Sequence, residues 1–80
     1  MNGRQRTAMA LSEARRKCAS GEARDLRVSA AHLTLEQMAT LADVSVASVW
    51  RWENGTRRCS GRAGVRYGHA LDDLALEVRR

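Results

Sequence analysis

Apolar residues recur at helical spacing in several stretches of the chain, and short polar segments separate these stretches. The last stretch shows this most clearly, because Leu71, Leu74, Ala75 and Val78 follow an i, i+3, i+4, i+7 pattern. The spacing predicts helices over residues 4–19, 22–31, 34–42, 45–54 and 60–78. Together these elements predict an all-α fold, a compact bundle of about five helices.

The segment from Thr34 to Gly55 is predicted to form two short helices joined by a tight turn. Thr34 is suited to the N-cap position, and Gln37 three residues later completes a capping box. Ser45 caps the second helix, and Gly55 ends it. Helices this short depend on packing for their stability, so their apolar faces must contact the rest of the chain. The predicted unit is a helix-turn-helix.

The second of these helices has two different faces. Val49 and Trp52 fall on the side that turns toward the core. Trp50 lies about 180° away around the helix axis, so it cannot enter the same core. We therefore expect Trp50 to contact a partner outside the chain. The outward face also carries Ser45, Val46, Ala47, Arg51 and Asn54.

The charge of the chain favours an anionic partner. Its 80 residues include 14 Lys and Arg against 9 Asp and Glu, for a formal net charge of +5. Nucleic acid is the first partner that this charge indicates, and an anionic membrane surface is the second. No apolar run approaches the length of a membrane span, and no signal-peptide core is visible. Of the two candidate partners we expect nucleic acid and not a membrane, and we expect a cytoplasmic protein.

The segment from Thr34 to Gly55 resembles the helix-turn-helix of the Cro/lambda-repressor-like family, also called the XRE family. The matching positions are Met38, Ala39, Val44, Ser45, Val49 and the run Arg51-Trp52-Glu53-Asn54-Gly55. The turn position that is usually Gly in the family is Asp43 here, and Asp tolerates a left-handed backbone. The resemblance implies a lambda-repressor-like fold that binds a double-stranded DNA operator, typically as a phage or prophage transcriptional repressor.

By this resemblance, helix 45–54 enters the major groove of DNA. The residues implied to contact base edges are Ser45, Val46, Ala47, Trp50 and Arg51. Those implied to contact the DNA backbone are Thr34, Ser48, Asn54, Thr56, Arg57 and Arg58. Arg51 is the strongest candidate, since an arginine can donate two hydrogen bonds to guanine. The family also pairs residues at the positions of Arg27 and Glu53, which would fix helix 45–54 against the helix over 22–31.

Residues 1–20 are predicted to be a basic N-terminal arm or helix, and residues 21–80 the helix-turn-helix domain of the same compact unit. Arg4 and Arg6 either add contacts to DNA phosphates or belong to a solvated face. Arg15, Arg16 and Lys17 are interpreted as solvated surface. The apolar stripe available to this helix consists of Ala8, Met9, Leu11, Ala14 and Cys18.

No group of residues predicts catalysis or a cofactor. Cys18 and Cys59 have neither metal-site spacing nor the pattern of a disulfide framework, so we expect two reduced thiols packed as small apolar groups. His32 and His69 are interpreted as structural, with His32 at a helix end where its backbone can be left-handed. Without a Ser-His-Asp set, a close carboxylate pair or a glycine-rich phosphate loop, we expect no enzyme, no metal, no cofactor and no small-molecule ligand.

Two functions are left open by the sequence. The first is the DNA-binding repressor, and the alternative is a protein-interaction module of the antitoxin type that uses Trp50 and the C-terminal helix. Asp72, Asp73 and Glu77 make one side of that helix acidic, so this side is expected to point away from DNA. Whether the chain acts as a monomer or a homodimer is also open, and Leu76 is the one clear candidate for a dimer contact.

Overall fold

The computed structural model describes residues 2–79, and every regular element in that range is helical. The helices are α1 (Gly3–Ser20), α2 (Glu22–Asp25), α3 (Leu35–Ala42), α4 (Val46–Glu53) and α5 (Gly61–Val78). A π-helical turn, Leu26–Ala30, continues α2 directly. The predicted all-α bundle is confirmed, although the helix expected over 22–31 is α-helical only in its first four residues.

Side-chain caps start the helices of the helix-turn-helix where the sequence places them. Thr34 Oγ1 accepts a hydrogen bond from the Gln37 amide at 3.0 Å, and Gln37 Oε1 accepts one from the Thr34 amide at 2.8 Å. Ser45 Oγ accepts a hydrogen bond from the amide three residues later at 3.1 Å. Asn2 and Gln5 form the same reciprocal box at the start of α1, where none was predicted. Each cap contributes about 1 kcal/mol to helix stability.

Left-handed residues end two of the helical segments. Asp43, directly after α3, has φ 56° and ψ 51°, and its N–H donates to the carbonyl of Ala39. His32, after the π-helical turn, has φ 57°. Both residue types enter the left-handed region more readily than most, so both predictions from the sequence are confirmed. The three residues from Asp43 to Ser45 connect α3 to α4 and complete a helix-turn-helix unit.

The core joins α3, α4 and α5. Met38 from α3, Val49 and Trp52 from α4, and Tyr67 and Leu71 from α5 are all buried in one cluster. The rings of Trp52 and Tyr67 lie 5.0 Å apart between centroids at a 45° tilt, a favourable arrangement for two aromatic side chains. Burial of both large rings fixes the orientation of α4 on the rest of the bundle.

Helices α1 and α5 run in the same direction and approach closely. Ala10 lies beside Gly68, and further along both helices Lys17 Nζ donates to Asp72 Oδ1 at 3.1 Å. A Cβ atom on Gly68 would lie 2.6 Å from the carbonyl oxygen of Ala10, so only glycine fits at this crossing. The basic N-terminal helix is therefore packed into the same core as the helix-turn-helix, not attached to it as a separate arm.

The predicted inward face of α1 is partly wrong. Leu11, Ala14 and Cys18 pack against or within the core as expected, but Ala8 and Met9 are exposed and Ala10 is buried instead. The reason is the close approach at Gly68, which leaves room for the methyl group of alanine and not for a longer side chain.

The interpretation of Arg15, Arg16 and Lys17 as solvated surface is also wrong for two of the three. Lys17 is buried and forms its ion pair with Asp72. Arg15 Nε donates to the carbonyl oxygen of Cys59 at 2.7 Å. Both cations therefore attach α1 to the C-terminal part of the chain, whereas Arg16 is exposed.

Candidate nucleic-acid interface

Helix α4 turns two tryptophans to opposite sides. Trp52 is 5% exposed and lies in the core, whereas Trp50 is 48% exposed. Val49 is fully buried beside Trp52, and Val46 is exposed on the outer side with Trp50. The predicted division of this helix into an inner and an outer face is therefore confirmed.

Arg27 and Glu53 form the predicted ion pair. Arg27 Nε donates to Glu53 Oε2 at 2.7 Å, and Arg27 Nη2 donates to Glu53 Oε1 at 2.9 Å, which is a bidentate arrangement. The two side chains are only 10% and 1% exposed. Hydrogen bonding to the carboxylate raises the pKa of Arg27 above the ordinary arginine value. A third hydrogen bond, from Arg27 Nη1 to the carbonyl of Leu33 at 2.9 Å, attaches the same guanidinium to the segment before α3.

Because of this ion pair, the surface around α4 is positively charged. Between Val44 and Arg66 the only acidic residue is Glu53, and Arg27 neutralises it in the interior. The remaining charges in this stretch are five exposed arginines, which we call the arginine segment: Arg51, Arg57, Arg58, Arg62 and Arg66. Of these, only Arg66 approaches a carboxylate within residues 2–79, that of Asp43 at 3.9 Å. Such a cluster of like charges attracts anions.

The residues predicted to contact base edges all lie on α4 or at its start. Val46, Ala47, Trp50 and Arg51 are exposed. Ser45 is also exposed, but its hydroxyl donates to Ser48 Oγ at 2.8 Å while it caps the helix. In this conformation the Ser45 hydroxyl has no proton left for a base.

The residues predicted to contact the DNA backbone differ in what they can donate. Thr34 Oγ1 and Ser48 Oγ act as acceptors in their hydrogen bonds, so each keeps its own proton for a phosphate. The Thr56 hydroxyl donates to the carbonyl of Arg51 at 3.4 Å, and Asn54 Nδ2 donates to the carbonyl of Trp50 at 2.9 Å. These last two side chains therefore cap the end of α4.

Three arginines line a cleft beside the end of α4. This cleft, of about 170 Å³, is lined by Arg15, Arg57 and Arg58, together with Trp52, Gly55 and both cysteines, and none of the lining residues is acidic. Arg57 and Arg58 were predicted for this position, but Arg15 was not. The sequence holds one weak signal for Arg15. It precedes Cys18 by three residues, so the two side chains lie on the same side of α1, and it follows Ala14, which is buried. Arg4 and Arg6 are exposed on the first two turns of α1.

The thiols in this cleft are poorly suited to act as nucleophiles or metal ligands. Cys18 and Cys59 are both free. Burial raises the pKa of both thiols, and that of Cys59 rises to about 12. The thiolate is the reactive form of cysteine, so these groups behave as small apolar side chains near neutral pH.

Residues 2–79 contain no group of three His, Cys, Asp or Glu side chains placed to hold a metal ion. In the same part of the chain, none of the helices combines the length and the apolar character that crossing a bilayer requires. Comparisons of the chain with protein-family models, with curated proteins and with solved structures gave no match.

Proposed function

We propose that this protein binds double-stranded DNA in a sequence-specific manner, with α4 in the major groove. This proposal rests on the positive charge of the outer face of α4 and of the segment that follows it. Five exposed arginines lie there, and the one carboxylate of this stretch, that of Glu53, is paired with Arg27 in the interior. A surface with this charge attracts a polyanion, and an α-helix on it fits the width of the major groove.

Base recognition would fall to the exposed side chains of α4. The guanidinium of Arg51 can donate twice to O6 and N7 of guanine, which discriminates against a wrong base by about 1–3 kcal/mol. Val46 and Ala47 present apolar groups suited to the thymine methyl. Trp50 offers a flat aromatic surface that can pack against sugars or base edges at the groove.

Backbone contacts would position the helix. Arg57 and Arg58 are exposed directly beyond α4, and the hydroxyl groups of Thr34 and Ser48 keep a proton for phosphate oxygens. Such contacts fix the register of a protein on DNA without selecting a sequence. A protein of this kind that occupies an operator blocks polymerase, so the role we propose is that of a transcriptional repressor, of the phage or prophage type that the resemblance implies.

Selection of binding sites from random duplexes tests this function, followed by affinity measurements on the consensus and on a random duplex at several salt concentrations. We expect Arg51→Ala to lose about 1–3 kcal/mol on the consensus and much less on random DNA. We expect Arg57→Ala to weaken both duplexes equally and to lower the salt slope by about 1. Arg79→Ala is the matched control, because Arg79 lies in a cleft with Glu13 and Glu22.

The proposal is wrong if the wild-type protein binds neither duplex at low salt. An equal loss on every sequence from Arg51→Ala would instead remove Arg51 as a base contact and leave DNA binding in place.

The exposure of Trp50 also fits a protein-interaction module of the antitoxin type. Trp52→Phe leaves Trp50 as the single tryptophan, so fluorescence then reports on this side chain alone. A change in emission on addition of random duplex at low salt supports DNA binding. An unchanged signal without a shift in electrophoretic mobility favours a protein partner.

A further inference from the structure

Arg15 is a half-buried cation that has no carboxylate partner. Its Nε donates to the carbonyl oxygen of Cys59 at 2.7 Å, and its guanidinium forms no ion pair within residues 2–79. Charged side chains that leave solvent are ordinarily paired with an opposite charge. The next two residues of α1 follow this rule, because Arg16 bonds a glutamate and Lys17 bonds an aspartate. Arg15 therefore lacks the neutralising anion that both of its basic neighbours have.

The terminal nitrogens of Arg15 are available to a ligand. The hydrogen bond to the carbonyl of Cys59 uses only Nε, so Nη1 and Nη2 keep their protons. Within residues 2–79, every buried nitrogen or oxygen of a side chain has a hydrogen-bond partner. Because Nη1 and Nη2 have no partner in this range, they are not buried, and an anion can reach them. The bond at Nε meanwhile holds the side chain in place.

The cleft that Arg15 lines contains two more arginines. Arg57 and Arg58 line it from the segment after α4, its volume is about 170 Å³, and no acidic residue lines it. Like charges held together in a folded protein repel one another, and an anion bound among them removes this cost. Each guanidinium presents its N–H donors in a planar fork that matches the oxygens of a phosphate. The cleft thus has the composition of a site for a phosphate group.

The segment that carries Arg57 and Arg58 is fixed at both ends. The amide of Arg57 donates to the carbonyl of Arg51 at 3.4 Å, which holds the start of the segment on α4. At the other end Cys59 is only 2% exposed, and its carbonyl oxygen is the acceptor for Arg15. A site on a fixed backbone binds its ligand at a smaller cost in entropy than a mobile loop does.

We propose that Arg15, Arg57 and Arg58 form a binding site for a phosphate group, so that α1 takes part in ligand binding as well as in packing. The phosphate comes either from the backbone of duplex DNA or from a free phosphate ion or phosphomonoester. In the first case the inference rests on the proposed function and extends the DNA contacts beyond the helix-turn-helix. In the second case the cleft is a separate anion site. Charge-assisted hydrogen bonds from guanidinium groups to phosphate oxygens bind the ligand in both cases.

Arg15→Gln tests the site without removing the hydrogen bond that fixes the side chain. The amide nitrogen of glutamine is the same number of bonds from Cα as Nε of arginine, so it can still donate to the carbonyl of Cys59. Only the charged end of the side chain is lost. Arg16→Gln is the matched control, because Arg16 is exposed and already paired with Glu13 and Glu22. Circular dichroism and thermal unfolding verify that both variants remain folded.

Titration with inorganic phosphate, against chloride at constant ionic strength, tests the site without DNA. We expect the proton–nitrogen NMR signals of Arg15 Nε and of the Arg57 and Arg58 amides to shift and to saturate at phosphate concentrations on the order of 1–10 mM. The signal of Arg16 Nε should not shift. Acetate should shift these signals less, because a carboxylate brings fewer acceptor oxygens and less charge. Arg15→Gln should weaken phosphate binding about 10-fold, since it removes hydrogen bonds between charged groups.

Affinity for the consensus and for a random duplex, measured without phosphate in the buffer at several salt concentrations, identifies the source of the phosphate. If DNA supplies it, Arg15→Gln weakens both duplexes about 10-fold and lowers the salt slope by about 1, whereas Arg16→Gln has a much smaller effect. Combined with Arg57→Gln, it should cost less than the product of the two single losses, because both residues contact one phosphate. If the affinity for duplexes is unchanged while inorganic phosphate shifts the NMR signals, the source is a free phosphate or a phosphomonoester.

The inference is overturned if Arg15→Gln leaves both the duplex affinity and the phosphate titration as in the wild type, or if the wild type responds to neither ligand. It is also overturned if acetate shifts the signals as strongly as phosphate does, or if Arg16→Gln causes an equal loss, since net charge alone would then explain the binding. A wild-type protein that binds no duplex at low salt contradicts the proposed function, and the phosphate titration then decides this inference separately.

Discussion

Arg27 connects more of the candidate interface than any other single side chain. Its guanidinium bonds Glu53 at the end of α4 and the carbonyl of Leu33 before α3. One group thus positions both helices of the helix-turn-helix relative to the π-helical turn. Because the pair is buried, loss of either partner leaves an uncompensated charge in the interior.

We expect Arg27→Ala or Glu53→Ala to lower the free energy of unfolding by about 3–5 kcal/mol. The double variant should cost less than the sum of the single ones, with a coupling energy of at least about 1 kcal/mol. Urea denaturation followed by circular dichroism gives these values. Arg24→Ala, an exposed arginine one turn earlier, is the control and should stay within about 0.5 kcal/mol of wild type. Additive losses would show that the two residues act separately.

At the residue scale, the sequence predicted what depends on local spacing. The inner position of Trp52 and the outer position of Trp50 follow from the helix period, which does not need the tertiary structure. The partners of Arg15 and Lys17 could not be predicted in this way, because the carbonyl of Cys59 and the carboxylate of Asp72 lie 44 and 55 residues away. An arginine or lysine next to other basic residues is usually solvated, and only the folded chain brings these acceptors to α1.

At the element scale, the crossing of α1 and α5 depends on Gly68. Helical glycine ordinarily costs about 1 kcal/mol relative to alanine, so Gly68 lowers the intrinsic stability of α5. The close contact with the backbone of Ala10 explains why the position nevertheless holds glycine. The crossing also determines which residues of α1 face inward, and for this reason the apolar stripe predicted from the sequence was partly wrong there.

We expect Gly68→Ala to destabilise the protein by about 1–3 kcal/mol despite the better helix propensity of alanine, because the added methyl overlaps a carbonyl oxygen. Gly3→Ala is the matched control, since a Cβ at that helical position has no neighbouring atom within 4 Å. It should be neutral or slightly stabilising. Thermal unfolding of both variants measures the difference, and a stabilising effect at Gly68 would mean that the two helices can separate at little cost.

The caps and the turn of the helix-turn-helix were the most predictable features of the elements. The box of Thr34 and Gln37, the cap at Ser45 and the left-handed Asp43 each depend on a few neighbouring residues. The π-helical turn at Leu26–Ala30 has no such local signal in this chain. It lies where Arg27 reaches both Glu53 and Leu33, a requirement set by tertiary contacts.

At the scale of the whole molecule, two buried acids, Cys59 and Tyr67, and the half-buried Cys18 couple stability to alkaline pH. Burial raises the pKa of Cys18 and of Tyr67, and it raises that of Cys59 from 9.0 to about 12. Because the pKa of each group is higher in the folded protein than in the unfolded chain, the unfolded chain releases these protons at a lower pH. The contribution of these groups to the free energy of unfolding is therefore fully present below about pH 8, and it is lost as the pH rises through the range above 9.

The free energy of unfolding in urea, measured between about pH 7 and about pH 11, should begin to decline near pH 9. Each group that is ionised in the unfolded chain and protonated in the folded protein contributes up to about 1.4 kcal/mol per pH unit to this decline. Cys59→Ala should make the decline shallower while leaving its onset in place, since Cys18 and Tyr67 still titrate. A pH-independent free energy of unfolding up to pH 11 would show that the three groups ionise in the folded state as easily as in the unfolded chain.

The interior of the molecule contains unusually small side chains. Six of the thirteen buried apolar residues in the range 2–79 are alanines, and Gly64 and Gly68 are buried beside them. An interior of this kind removes little hydrocarbon from water for each residue that it orders, so the heat capacity should change little on unfolding. Stability would then vary only gently with temperature, without a pronounced maximum, and cooling would weaken this fold less than one whose interior is built from leucine and phenylalanine.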